Sequence, residues 1–272
     1  MTDGDRAYRA TRRDGVLRVG QPGAEWFSSG WNGGRRRVDC AYNVSVPDGW
    51  NRTDLESYAD DRLERAEFGR LEGTAAGYNR DGSVGRNDDP LVLFTGVDLE
   101  HARGARRGSV TVYATAGISN PAALPMDPVG GSHPTESDSE SAADPTFTGA
   151  GTVNLIVGTT RALAPGALAN LLAVAVEAKT TTLLGETGFP GTTTDAVVVG
   201  HDPDGSRAEF SGSATPVGAA TRACVREAVR ASLRSRYGDG TEIPESVADA
   251  EHGISTDRRA RVFRPLLEGD GD

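Results

Sequence analysis

Gly151-Thr-Val-Asn-Leu-Ile-Val157, the run from Pro165 to Leu184 and Asp195-Ala-Val-Val-Val199 decide the fold. The first and last are short β-branched runs, the composition of strands buried on both faces. Between them, Pro165 suits a first helical position, and nothing breaks the helix until Gly188-Phe-Pro-Gly191. Strand, helix and strand in succession require a sheet covered by helices. A last helix, about Pro216 to Tyr237, stops at Gly238.

Upstream, strands cluster. Gly15–Val19, Ala24–Ser29 and Arg36–Val46 read as strands, with Ser29-Gly-Trp-Asn-Gly-Gly34 turning between the last two. Thr53-Asp-Leu-Glu56 has the form of a capping box opening a helix through about Phe68. Leu91–Phe94 and Ser109–Ala116 are further strands, the second running into the turn Gly117–Pro121. The expectation is one α/β or α+β domain over residues 1–238, with mixed β-sheet layers packed against helices. Asp127 to Ala150 is rich in Gly, Ser, Pro and carboxylates and lacks Lys and Arg, so it reads as a flexible acidic insertion. Residues 239–272 read as a charged C-terminal segment, docked but frayed at its end.

Charge sets the environment. Acidic residues number 39 against 29 basic ones, a formal net charge of −10. Lys179 is the only lysine. An acidic surface nearly emptied of lysine suits molar salt, where screening removes self-repulsion. Arginine-favouring codons would explain the missing lysine but not the acidity. Such a surface is not expected to bind nucleic acid. No apolar leader follows Met1, the apolar stretch Ala167–Val176 is too short to span a bilayer, and Cys40 and Cys224 make no disulfide framework. A soluble cytoplasmic protein without membrane contact is expected; self-association is left open.

Between Ala167 and Ala178 the only polar side chains are Asn170 and Glu177. Such a helix is expected to be enclosed, which would bury Glu177 and make it a proton acceptor. Lys179 lies on roughly the opposite face. A compact ammonium of tunable basicity there offers what arginine does not. The alternative is a capping Glu177 and a solvated last-turn Lys179. In Gly191-Thr-Thr-Thr-Asp195, Thr193 or Thr194 could bind or attack a carbonyl, and Asp195 could orient Lys179 or activate water. Thr and Asp are equally ordinary turn residues. Asn154, inside a strand, and Asn120, in a turn, could donate to an oxyanion. Ser29 and Arg36, in and after the Gly-rich turn, could contact an anionic or amide-rich ligand, although the arginines could instead form a solvated strand edge. The histidines, His101, His133, His201 and His252, are scattered, and no His-Glu-x-x-His, Cys-x-x-Cys or Gly-x-Ser-x-Gly occurs. That disfavours common zinc and serine hydrolases.

Six segments, in order, resemble the CbiZ family of adenosylcobinamide amidohydrolases. They are Phe27-Ser-Ser-Gly-Trp-Asn-Gly-Gly-Arg-Arg36, Asn43-Val-Ser-Val-Pro47, Ala114-Thr-Ala-Gly-Ile-Ser-Asn-Pro121, Gly151-Thr-Val-Asn-Leu-Ile156, Glu177-Ala-Lys-Thr180 and Gly191-Thr-Thr-Thr-Asp-Ala-Val-Val198. The resemblance implies hydrolysis of the amide between the aminopropanol arm and the corrin propionate of adenosylcobinamide, giving adenosylcobyric acid for corrinoid salvage. It implies a corrinoid substrate whose cobalt is its own; no resident cofactor is expected and no residue is assigned to a metal, while assistance by a metal is left open. In this reading Glu177 or Asp195 activates water or a threonine such as Thr194, and Lys179 meets the oxyanion or the leaving amine. Asn154, Asn120, Ser29, Arg36 and Thr193 would bind substrate. Two alternatives remain: a non-catalytic corrinoid-binding protein and a self-processing amidase with a threonine nucleophile.

Overall fold

The computed structural model describes residues 8–47, 49–50, 53–69, 91–128, 151–238 and 242–265. Along the chain come β1 (Arg9–Arg13), β2 (Val16–Gly20), β3 (Glu25–Ser28), β4 (Gly34–Arg37), β5 (Cys40–Ser45) and α1 (Leu55–Arg65). Next are β6 (Leu91–Thr95), β7 (Arg103–Arg107), β8 (Val110–Ala116), β9 (Pro121–Ala123) and β10 (Val153–Leu163). The chain continues through α2 (Pro165–Thr187), β11 (Gly191–Thr192), β12 (Ala196–Ala208), α3 (Pro216–Tyr237) and β13 (Ile254–Ser255). Residues 129–150 of the acidic stretch and 266–272 of the C-terminal segment lie outside the described residues.

The deciding unit forms as its sequence requires. β10 and β12 pair in parallel from Asn154–Ala196 onward, joined through α2. Pro165 opens α2, and Gly188 closes it in the left-handed region at φ 78°, a conformation that favours glycine. Thr215 caps α3 by accepting a hydrogen bond from the Gly218 amide at 3.0 Å. The six-stranded sheet runs β4-β3-β12-β10-β8-β7, and a four-stranded sheet runs β1-β2-β5-β6.

Alternation along the strands sorts side chains into three cores. Leu155, Val157, Val197 and Val199 face α2 and α3 in one cluster. Ile156 and Val198, on the other face, meet Leu17, Trp26, Leu91 and Leu93 between the two sheets. Val44, Val92 and Phe94 turn away from that layer toward Tyr58 and Leu63 of α1. The result is four layers, helix, sheet, sheet and helices, the mixed α/β layering expected. A small sheet, β11-β9-β13, closes one end. In it β13 pairs with β9, so part of the charged C-terminal stretch is docked.

Several details differ from the sequence reading. Arg36–Val46 is not one strand: Asp39 accepts the Gln21 amide at its carbonyl and the Gly23 amide at Oδ1, turning the chain between sheets. β4 therefore joins the larger sheet and β5 the smaller. The capping box is absent, since Asp54 holds the N-cap position of α1 without a side-chain cap bond. β1 and β7 were not anticipated, because their arginines hide the strand alternation. Together with β4 they are arginine-rich edge strands, and charge on an edge prevents chain-to-chain pairing. Helix α2 as a whole, unlike Ala167–Val176 alone, is long and apolar enough to cross a membrane by length and composition. It lies against α3, β10 and β12, with half of its most apolar window buried there.

Candidate active site

The loop between α2 and β12 brings most of the candidate residues together. Gly191 and Thr192, as β11, pair with Ala122 and Pro121 of β9, which fixes the loop beside the turn after β8. Asp195 stands just before β12, against the start of β10. Lys179, in the second half of α2, reaches it from the helix layer, and the two form an ion pair with side chains only 7% and 11% exposed. Asp195 Oδ1 also accepts the Val153 amide at 2.9 Å and the Thr192 hydroxyl, while Oδ2 accepts the Thr192 amide at 3.2 Å. A carboxylate has about four acceptor positions, so this one is held in a single orientation. A Cβ on Gly191 would lie 2.7 Å from Asp195 Oδ2, so a side chain there would push into the pair.

Thr194 is half-buried. Its hydroxyl lies 2.9 Å from that of Thr152 and 3.5 Å from Asn120 Nδ2. Asn120 is fully buried and donates to the exposed Thr193 hydroxyl at 2.6 Å. Its Oδ1 is buried without a hydrogen-bond partner among the described residues. Thr194 and Asp195 line a cavity of about 220 Å³ whose other walls include Ser29, Trp31, Trp50 and Phe94. The arrangement places Thr194 and Asp195 on the wall of one partly open cavity lined by aromatic rings, with the Lys179 ammonium paired to the Asp195 carboxylate.

Other candidates are placed differently. Glu177 is not buried: its side chain is 57% exposed and pairs with Arg222 of α3 at 2.5 Å. The outer stripe of α2 is Ala169, Ala173 and Glu177, so alanine made the helix look enclosed where it faces solvent. Asn154 is buried, but its amide is spent on Asn43 Oδ1 at 2.9 Å and the Phe94 carbonyl at 2.8 Å, and its Oδ1 accepts the Ala196 amide at 3.1 Å. It is a pin between the two sheets, with no donor left for an oxyanion. Asn154→Ala is expected to cost about 3 kcal/mol, because buried partners on three strands lose their bonds; denaturant unfolding with an unchanged m-value checks it. Ser29 does reach the cavity, where its backbone and hydroxyl extend the β3–β12 ladder onto Val197. Arg36 is buried on β4 while Arg35 and Arg37 are exposed, so the strand is not a uniformly solvated edge. It does not line the cavity.

Among the described residues no three His, Cys, Asp or Glu side chains converge as metal ligands. His201 is structural: Nδ1 accepts the Leu163 amide at 3.0 Å, which leaves Nε2 to donate to Glu25 at 3.1 Å. Burial alone would raise the Glu25 carboxyl, but hydrogen bonds from His201 and Arg35 hold it below the usual carboxylate range. Thr152, Trp31, Trp50 and Phe94 were not singled out from sequence. Trp31 and Thr152 carried a signal, inside two of the segments that resemble the family; Trp50 and Phe94 meet the site through tertiary packing.

Comparison with known proteins identifies the family. An adenosylcobinamide amidohydrolase of Halobacterium salinarum is 54% identical over 95% of this chain and 100% of its own length. One from Methanosarcina mazei is 30% identical over 78% of this chain and 91% of its own. Among solved structures, the PH0078 protein from Pyrococcus horikoshii OT3 superposes with a TM-score of 0.42 at 12% identity, covering 83% of this chain and 79% of that one. The family model for CbiZ, adenosylcobinamide amidohydrolase, matches residues 1–241. The chain belongs to the CbiZ family of adenosylcobinamide amidohydrolases.

Proposed function

We propose that the chain hydrolyses the amide between the aminopropanol arm and the corrin propionate of adenosylcobinamide, releasing 1-amino-2-propanol and adenosylcobyric acid. The observation that carries this reading is the buried Lys179–Asp195 pair beside the Thr194 hydroxyl, with Thr194 and Asp195 on the wall of one aromatic cavity. The family's activity supplies the bond to be cut.

In this mechanism the Thr194 hydroxyl attacks the carbonyl carbon. Its proton passes to the departing nitrogen through Asp195, which gives up the bond from the Thr192 hydroxyl to accept it, so the amine leaves neutral and the acyl group stays on Thr194 as an ester. Water then adds to the ester, the acid departs and the proton returns to Thr194. Thr152 and Asn120 orient the hydroxyl. Lys179, behind Asp195, balances its charge and holds its orientation. Glu177 has no part in it. The cobalt travels with the substrate, and the protein works in the cytoplasm of a salt-loaded cell.

Incubation of the purified chain with adenosylcobinamide in molar salt, followed by corrinoid mass, is expected to give adenosylcobyric acid and the free amino-alcohol. Corrinoid retained intact on the protein would favour a carrier over an enzyme.

A further inference from the structure

Asn120, which reaches Thr193 and Thr194, sits in the turn that follows β8, and on one side that turn has no strand beside it. β7 pairs with β8 from Val110 to Ala114, where Arg103, its first residue, lies opposite. Beyond Ala114 the chain still follows β10, and the Gly117 amide donates to the Thr152 carbonyl at 3.2 Å. Successive amides of a strand point to opposite edges. Those of Ala116 and Ile118 therefore point to the edge that β7 does not reach. Helix α3 supplies the acceptors instead. Ser232 Oγ accepts the Ala116 amide at 2.9 Å, and Tyr237 Oη accepts the Ile118 amide at 2.7 Å. Each satisfies a backbone donor that would otherwise be costly to bury. Between them Gly117 is packed tightly: a Cβ there would lie 2.8 Å from Val97 Cγ2 and 3.2 Å from Arg236 Nε.

From Ile118 two residues lead to Asn120. Its carbonyl accepts the Thr193 amide at 3.2 Å, and its Nδ2 donates to the Thr193 hydroxyl at 2.6 Å, with Thr194 Oγ1 3.5 Å away. A chain of printed contacts thus runs from the last residue of α3 to the hydroxyl placed at the centre of the reaction.

We infer that Tyr237 is a positioning residue for the reaction: its hydroxyl fixes the backbone of the turn after β8, and through Asn120 that turn holds the Thr194 hydroxyl in line for attack. The inference rests on the reaction proposed above. Tyr237 does not line the cavity and touches no reacting atom, so its contribution is orientation alone. Orientation carries weight, since a misplacement of about 1 Å originating far from the chemistry can cost roughly 100-fold. Ser232 is the structural counterpart. It makes the same kind of bond two residues earlier, within β8, where pairing of Ala116 with Val153 of β10 also holds the strand.

The test is kinetic, on the full chain with adenosylcobinamide in molar salt. Tyr237→Phe keeps the ring and deletes the hydroxyl. It is expected to lower kcat about tenfold and leave KM within about twofold, because the bond orients the nucleophile and not the bound substrate. Asn120→Ala is expected to lower kcat at least as far. Adding Tyr237→Phe to it should then change kcat less than about twofold, since the route to Thr194 is already cut. Asn120→Ser serves the same cycle if the alanine variant does not fold. Ser232→Ala should lower the unfolding midpoint while kcat stays within about threefold. An unchanged kcat in Tyr237→Phe overturns the inference, as does a rise in KM at constant kcat. An equal loss in both backgrounds, or a loss in Ser232→Ala as large as in Tyr237→Phe, makes the bond structural only and overturns it too. Absence of turnover by the folded wild-type chain is a separate result: it overturns the amidohydrolase reading, and this inference with it.

Discussion

Lys179→Ala is expected to lower the unfolding free energy by about 3 kcal/mol and to abolish turnover, the stability loss being that of a broken buried ion pair. The Lys179 and Asp195 side chains are almost fully enclosed, so the carboxylate left behind cannot regain water. The Val153 and Thr192 donors would still hold it, which sets the cost at the low end for an orphaned buried charge. Molar salt screens exposed pairs strongly and buried ones little. The loss should therefore persist in molar salt. A double replacement separates structure from chemistry. Lys179→Met with Asp195→Asn removes both charges and keeps an acceptor for the Val153 amide, and is expected to recover most of the lost stability. It should not recover activity, because the proposed proton carrier is gone. Denaturant unfolding and product formation, measured on the same preparations, decide the matter. A loss below about 1 kcal/mol for Lys179→Ala would mean the pair behaves like a surface bridge. Activity in the double variant would reduce the pair to a structural role.

The strand–helix–strand core was legible because periodicity and breakers agreed. α3 begins and ends where Pro216 and Tyr237 place it, and α2 opens at Pro165. The arginine edge strands were not legible, since alternation cannot be seen when exposed positions and their neighbours are all polar. Nor was the break at Asp39, where one carboxylate and one carbonyl divide a run of strand-forming residues between two sheets. At the site, the lone lysine and the Gly191–Asp195 motif pointed to a pair that the structure does bring together. Glu177 misled because alanine counts as apolar in a sequence whether it faces a core or solvent. Asn154 misled for another reason: a buried amide signals that partners exist, not whether they are protein or substrate. The aromatic walls come from three separate parts of the chain, and local patterning carries no trace of such a convergence.

Thr194→Ala is expected to reduce kcat by at least about 10³-fold, the scale of losing a covalent nucleophile, while costing only about 1 kcal/mol of stability through the bond to Thr152. Thr194→Ser keeps the hydroxyl and should keep measurable turnover. The neighbouring Thr193 supplies the control. It is exposed, its hydroxyl accepts from Asn120, and it does not line the cavity. Thr193→Ala should therefore change kcat less than about tenfold, a barrier change below about 1.4 kcal/mol. The covalent step gives a second readout. Rapid acid quench of the wild-type chain with excess adenosylcobinamide should show protein carrying the corrinoid acyl mass, and the adduct should be missing in Thr194→Ala. Wild-type rates in Thr194→Ala would instead assign the attack to a water held by Asp195. The same carboxylate would then face the same cavity, but with the acyl group never leaving the substrate.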